Sequence, residues 1–176
     1  MDRILDGAEN IELSGDDIHR ITDGQAAIWS YPELIHVSVL DELFSAAGVA
    51  VILYDTTQPN VGHWVALFKR GDNLVEFFDP YGLAPDTELD ITNPMHLRAG
   101  RGAEEPHLTQ LIRESQFRLV YNPTQLQRFK EDINTCGRHV GVRIRFKELP
   151  IKKYIKLITS SKYTADELVT LLTLLV

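Results

Sequence analysis

Apolar positions along the chain recur with two different periods, and the changes of period predict its elements. From Pro32 onward, Leu34, Ile35, Val39, Leu40, Leu43 and Phe44 fall on one helical stripe. Pro32 suits a first turn and Gly48 a stop, so a helix is predicted between them. Val49 to Tyr54 is apolar without a break, at the length of a buried strand. His63 to Lys69 and Leu74 to Phe78 predict two more strands, joined across Gly71-Asp72-Asn73 as a hairpin. Arg118 to Tyr121 predicts a fourth.

Helical patterns flank these strands. Ser14-Gly15-Asp16-Asp17 opens a short helix with acids at its start, and Leu108, Leu111 and Ile112 mark another. A core helix runs from near Cys136 through Val140 and Ile144 to Phe146, with its end placed near Pro150. Thr164 and Glu167 cap a last helix whose stripe is Leu168, Leu171, Leu172 and Leu175. Residues before Ser14 read as an irregular arm, and Gly24 to Tyr31 has no decisive pattern. Leu83 to Glu105, rich in Pro, Gly and charge, reads as a long surface excursion. Strands grouped centrally with helices before and after predict an α+β fold, with residues 1–176 forming one domain.

Composition narrows the function classes. With 18 Lys and Arg against 25 Asp and Glu, the net charge of −7 argues against a mainly electrostatic nucleic-acid binder. The basic residues Arg138, Arg143, Arg145, Lys147, Lys152, Lys153 and Lys156 cluster in sequence and read as solvated faces. A single cysteine excludes an intrachain disulfide and fits a reducing compartment. The charged start Met1 to Asp6 is not expected to act as a signal peptide, and Leu168 to Val176 is too short to span a bilayer. Scattered histidines and one cysteine lack paired-ligand spacing, so neither a metal nor another cofactor is expected.

The one cysteine is the chemical focus. Asn134 and Thr135 are cap-forming residues, which puts Cys136 in the first turn of the core helix. There the unpaired N–H groups and the helix dipole favour thiolate, the nucleophilic form. Gly137 leaves no side chain beside the sulfur. A buried structural cysteine is the competing reading of this stretch. A nucleophile also needs a base, an orienting group and an oxyanion donor. His63 opens a strand beside Gly62, which leaves space above it, and Trp64 points to the opposite face. In an antiparallel hairpin, Asp79 comes level with His63 and can orient it. Gln127, with Gln125 as fallback, can donate to an oxyanion alongside the Cys136 N–H. His139 shares a helix face with Cys136 but ranks below His63, having no orienting carboxylate in view.

Gly62-His63-Trp64, then Phe78-Asp79-Pro80-Tyr81-Gly82, then a glutamine, then Thr135-Cys136-Gly137, in that order, resembles the adenovirus protease and the ubiquitin-like-protein-specific proteases. These form one superfamily of cysteine proteases. Within it, the short length and Asn134 to Arg138 are similar to the maturation proteases of double-stranded DNA viruses and virophages. The resemblance spans roughly residues 50 to 146. It implies a papain-like fold of the adenovirus-protease type: a central, mostly antiparallel sheet flanked by helices, with the nucleophile at the N-terminus of a core helix. It implies a cysteine endopeptidase in which Cys136 is nucleophile, His63 base, Asp79 its orienter and Gln127 oxyanion donor, with Gly62, Trp64 and Gly137 lining the substrate path. Viral structural precursors are the implied substrates, with action in the virion and in the host cytoplasm or viral factory, and no membrane partner. The adenovirus enzyme uses a peptide and DNA as cofactors; the acidic balance here speaks against DNA and leaves a peptide activator open. A protease acting on ubiquitin-like modifiers is the alternative, followed by an inactive binding module of the same fold.

Overall fold

The computed structural model describes residues 2–55, 62–87, 89 and 105–174. Its centre is a five-stranded mixed sheet in sequential order: β1 (Ala27–Ser30), β2 (Val49–Asp55), β3 (Gly62–Lys69), β4 (Leu74–Phe78) and β5 (Arg118–Tyr121). β2, β3 and β4 pair antiparallel, while β1 joins β2 and β5 joins β4 in parallel. The sheet is therefore mixed rather than mostly antiparallel. The short connections through the central hairpins allow antiparallel pairing, while the longer excursions around them return each edge strand in parallel.

Six helices flank the sheet among the described residues: α1 (Asp2–Glu9), α2 (Gly15–Ile21), α3 (His107–Glu114), α4 (Cys136–Arg145), α5 (Ile151–Thr159) and α6 (Ala165–Thr173). On one face, Val49, Val51 and Leu53 of β2 and Trp64, Ala66 and Phe68 of β3 pack with residues of α2, α4, α5 and α6. On the other, Ala50, Ile52 and Tyr54 with Val65 and Leu67 pack under α3 and two 3₁₀ turns, Tyr31–His36 and Leu40–Leu43. Coverage on both faces explains why β2 is apolar throughout instead of alternating.

Several elements depart from the expectations. β1 lies in the stretch that had no decisive pattern, α4 ends at Arg145 rather than near Pro150, and α5 follows Pro150 where no helix was expected. The predicted helix from Pro32 is those two 3₁₀ turns, and Ile35 and Val39 of its supposed stripe are exposed. Val37 and Val39 are extended, the conformation that β-branched residues favour, and they interrupt the helix. The supposed arm before Ser14 holds α1, whose Leu5 and Ala8 are buried, α1 packing against α6. In α6 the buried face is Asp166, Val169, Thr170 and Thr173, while Leu172 is exposed. Buried polar partners, not apolar period, set that rotation. Leu175 and most of the predicted excursion between Leu83 and Glu105 lie outside the described residues.

The cationic cluster is not uniformly solvated. Arg145 and Lys152, Lys153 and Lys156 are exposed, but Arg138 and Arg143 are buried. Arg143 donates from Nε to Glu76 Oε1 at 3.0 Å and to the carbonyls of Phe146 and Leu149 at 2.7 and 3.0 Å. Its guanidinium also lies over the rings of Phe68 and Tyr154. Burial lowers its pKa, and the Glu76 carboxylate works against that shift.

Candidate active site

β3 begins the site, and its first residue has to be small. Gly62 pairs with Asp55, and a Cβ there would stand 2.0 Å from the Tyr54 carbonyl oxygen. The glycine serves this close backbone approach rather than clearance above the imidazole. His63 follows, buried at the strand's start.

The β3–β4 ladder sets Ala66 opposite Phe78. Continued by one residue, it puts Asp79 opposite Val65, so Asp79 is not level with His63 but diagonal to it. The carboxylate still reaches the ring: Asp79 Oδ1 lies 2.8 Å from His63 Nε2, with Asp79 only 1 % exposed. The same oxygen accepts from the Tyr81 backbone N–H at 2.7 Å. Buried Asn122 holds the Asp79 main chain from both sides. Its Oδ1 accepts the Asp79 N–H at 3.1 Å and its Nδ2 donates to the Asp79 carbonyl at 3.0 Å. The carboxylate is thus oriented by the fold itself.

Cys136 is the first residue of α4, and its Sγ lies 3.9 Å from the Gly62 carbonyl oxygen, immediately before His63 in the chain. Thr135 occupies the N-cap position, but its side chain makes no capping hydrogen bond, contrary to expectation. Its hydroxyl instead donates to Asp166 Oδ1 at 2.5 Å, and the Asn134 amide donates to the Asn10 carbonyl at 3.1 Å. Neither side chain takes up the first-turn N–H groups, whose dipole faces the sulfur. The space a Gly137 side chain would need is filled by Ile18, Leu13 and Trp64, at 3.0 to 3.2 Å. Gly137 therefore allows close packing of α4 on its neighbours rather than opening a path beside the sulfur. Trp64 is 4 % exposed, with its indole N–H donated to the Leu13 carbonyl at 2.8 Å. It wedges β3 against α4 in the core, on the same side of the sheet as Cys136, instead of lining a channel.

Gln127 and Gln125 separate clearly. Gln125 is exposed, whereas Gln127 is 1 % exposed. The backbone N–H groups of Leu126 and Gln127 both donate to the Pro80 carbonyl, at 2.8 and 2.9 Å, which docks this loop on the turn carrying Asp79. Gly82 makes the docking close: its φ is +76°, and a Cβ there would meet the Thr124 backbone at 2.7 Å. The Gln127 Nε2 donates to the Ile133 carbonyl at 3.1 Å and to the Tyr81 hydroxyl at 3.3 Å. The Tyr81 contact is the longer and the more readily exchanged for another acceptor.

Sequence reasoning did not single out Tyr81, Phe129, Asn122 or Asp166. Tyr81 stacks on the His63 ring at 4.4 Å between centroids, and Phe129 stacks on Tyr81 at 4.1 Å. Phe129 is 58 % exposed, so an aromatic column runs from the imidazole to the surface. His139 is wholly buried, with Nε2 3.0 Å from Asp166 Oδ1, and does have a carboxylate partner. Burial acts to raise the Asp166 pKa, but hydrogen bonds from His139, Thr135 and Arg128 outweigh it and hold the carboxyl at about 2. Pro80 and Gly82 signalled the turn, in which the Gly82 N–H donates to the Asp79 carbonyl at 2.9 Å, but not the stacking of Tyr81 on His63. Asp166 gave no signal, being one acid in a capped first turn.

Among the described residues, no group of three His, Cys, Asp or Glu is arranged to hold a metal, and no helix is long and apolar enough to cross a membrane. No family model matches the chain. It is 39 % identical over 170 residues to a Sputnik virophage protein described as uncharacterized protein V9, an alignment covering 94 % of this chain and 96 % of that protein. The chain therefore belongs to the same family as this virophage protein.

Proposed function

We propose that the chain is a cysteine endopeptidase of the adenovirus-protease type that processes virion precursor proteins during maturation. The observation that carries this reading is the His63 Nε2–Asp79 Oδ1 contact of 2.8 Å, with Cys136 opening a core helix and its Sγ 3.9 Å from the carbonyl oxygen of Gly62, the residue before His63. With Nε2 turned to Asp79, proton exchange with the sulfur falls to Nδ1. The Cys136 thiolate attacks the peptide carbonyl carbon, and the negative charge moves to its oxygen. The Cys136 backbone N–H and the Gln127 amide donate to that oxygen, Gln127 exchanging its Tyr81 contact to do so. The carbon–nitrogen bond then breaks as the His63 imidazolium gives its proton to the leaving amine. Water, deprotonated by His63, attacks the thioester and releases the carboxylic acid and the thiol. The virophage relative supports a viral setting, in which precursor cleavage is the corresponding task.

The test is cleavage of viral capsid-precursor polypeptides beside a ubiquitin-like fusion, using the wild type, Cys136→Ala and His63→Ala. Cleavage of the precursor by the wild type alone supports the proposal. Cleavage of only the fusion moves the substrate to ubiquitin-like modifiers, and unchanged cleavage by Cys136→Ala removes the cysteine mechanism.

A further inference from the structure

Asp166 sits far along the chain from the proposed catalytic set, yet its side chain joins two of that set's carriers. Oδ1 accepts from the Thr135 hydroxyl at 2.5 Å and lies 3.0 Å from His139 Nε2. These residues flank Cys136, one just before it and one a turn later. Oδ2 accepts from Arg128 Nε at 2.9 Å and from the Arg128 backbone N–H at 3.2 Å. Arg128 directly follows Gln127. The carboxylate is completely buried and each of its oxygens is used twice. It belongs to α6, which also holds α4 through Thr173, the acceptor of an Arg138 Nη1 hydrogen bond of 2.7 Å.

We propose that Asp166 is a positioning residue that fixes the distance between the Cys136 N–H and the Gln127 amide, and so builds the oxyanion site. This rests on the protease reading above. The two proposed donors come from separate stretches, α4 and the loop at Gln127, and Asp166 ties both to one point. A site whose donors must converge within tenths of an ångström loses rate when one support slips. Attack on a small alkyl halide develops no oxyanion and needs only the thiolate. Loss of the clamp therefore slows peptide cleavage while leaving alkylation nearly untouched, a split that general destabilisation does not produce.

The experiment compares wild type, Asp166→Asn, Thr135→Val and Thr135→Ser. It reads kcat and KM on a fluorogenic peptide with glycine before the reporter amide, iodoacetamide alkylation of Cys136, and thermal unfolding. Thr135→Val is expected to lower kcat about 10²-fold with KM and alkylation within about twofold, and Thr135→Ser, which keeps the donor, to restore kcat. Asp166→Asn is expected to act in the same direction, and if it fails to fold, the two Thr135 variants decide. Unchanged kcat in Thr135→Val, or kcat and alkylation falling together, overturns the clamp. A wild type whose Cys136 alkylates no faster than free cysteine overturns the protease reading instead.

Discussion

At the residue scale, the account turns on which side chains are already oriented. Asp79 accepts from both His63 and the Tyr81 backbone, and Asn122 holds its main chain. Replacing Asp79 with Asn keeps the shape but presents an amide to the ring, favouring the wrong tautomer. Peptide cleavage by Asp79→Asn is expected to fall by about 10²- to 10⁴-fold in kcat/KM, and activity within twofold of wild type contradicts the role. Gln127→Ala removes the proposed oxyanion donor together with its hydrogen bonds to the Ile133 carbonyl and the Tyr81 hydroxyl, and leaves Cys136 and His63 in place. Its kcat is expected to drop about 10²-fold with Cys136 alkylation unchanged, which steady-state and alkylation kinetics together check. Residue types at this scale were legible in sequence, because Cys136, His63, Asp79 and Gln127 each carry a distinct chemistry. Their packing was not. Trp64 and Gly137 read as substrate-facing, yet the wedge they form depends on Leu13 and Ile18 arriving from α2 and the residues before it.

At the element scale, buried polar contacts decide how helices dock. Arg143 of α4 donates to Glu76 of β4, and Arg70 donates to the same carboxylate at 3.1 Å. Arg143→Met leaves Glu76 with Arg70 as its remaining cationic partner and is expected to cost roughly 1.5–3 kcal/mol in urea unfolding. A cost below 1 kcal/mol contradicts that reading. The α6–α4 contact carries a pH signature. The Asp166 carboxyl is lowered to about 2, so its contribution, about 2 kcal/mol, is present above the ordinary carboxylate range and is lost as pH falls from about 4 toward 2. Wild-type stability is expected to fall more steeply than that of Asp166→Asn across this window; parallel profiles contradict it. Strands were the more legible elements, since β2 to β5 follow uninterrupted or bounded apolar runs. The helices at either end were not, because α1 is short and α6 buries Thr170 and Thr173 where its leucines suggested the core.

At the scale of the whole molecule, the sheet is the frame and the proposed site lies along one of its ends. The His63 strand is joined to the strand that leads into the Asp79 turn by the β3–β4 ladder, and the Gln127 loop to that turn through the Pro80 carbonyl. α4 brings the sulfur to the same end from the helical layer, packed on β3. The α+β class was readable from the order of elements, while the parallel edge strands were not, since no local pattern records which way a distant segment returns. The virophage relative aligns over 94 % of the chain, so the alignment takes in the sheet as well as the helices at both ends. The central claim is that His63 and Cys136 act as one unit. Its most direct measurement is the rate of Cys136 alkylation by iodoacetamide at neutral pH in the wild type and in His63→Ala. The account predicts wild-type alkylation about tenfold or more faster than that of free cysteine, with the advantage lost in the variant. Equal rates in the two proteins, both matching free cysteine, would contradict it.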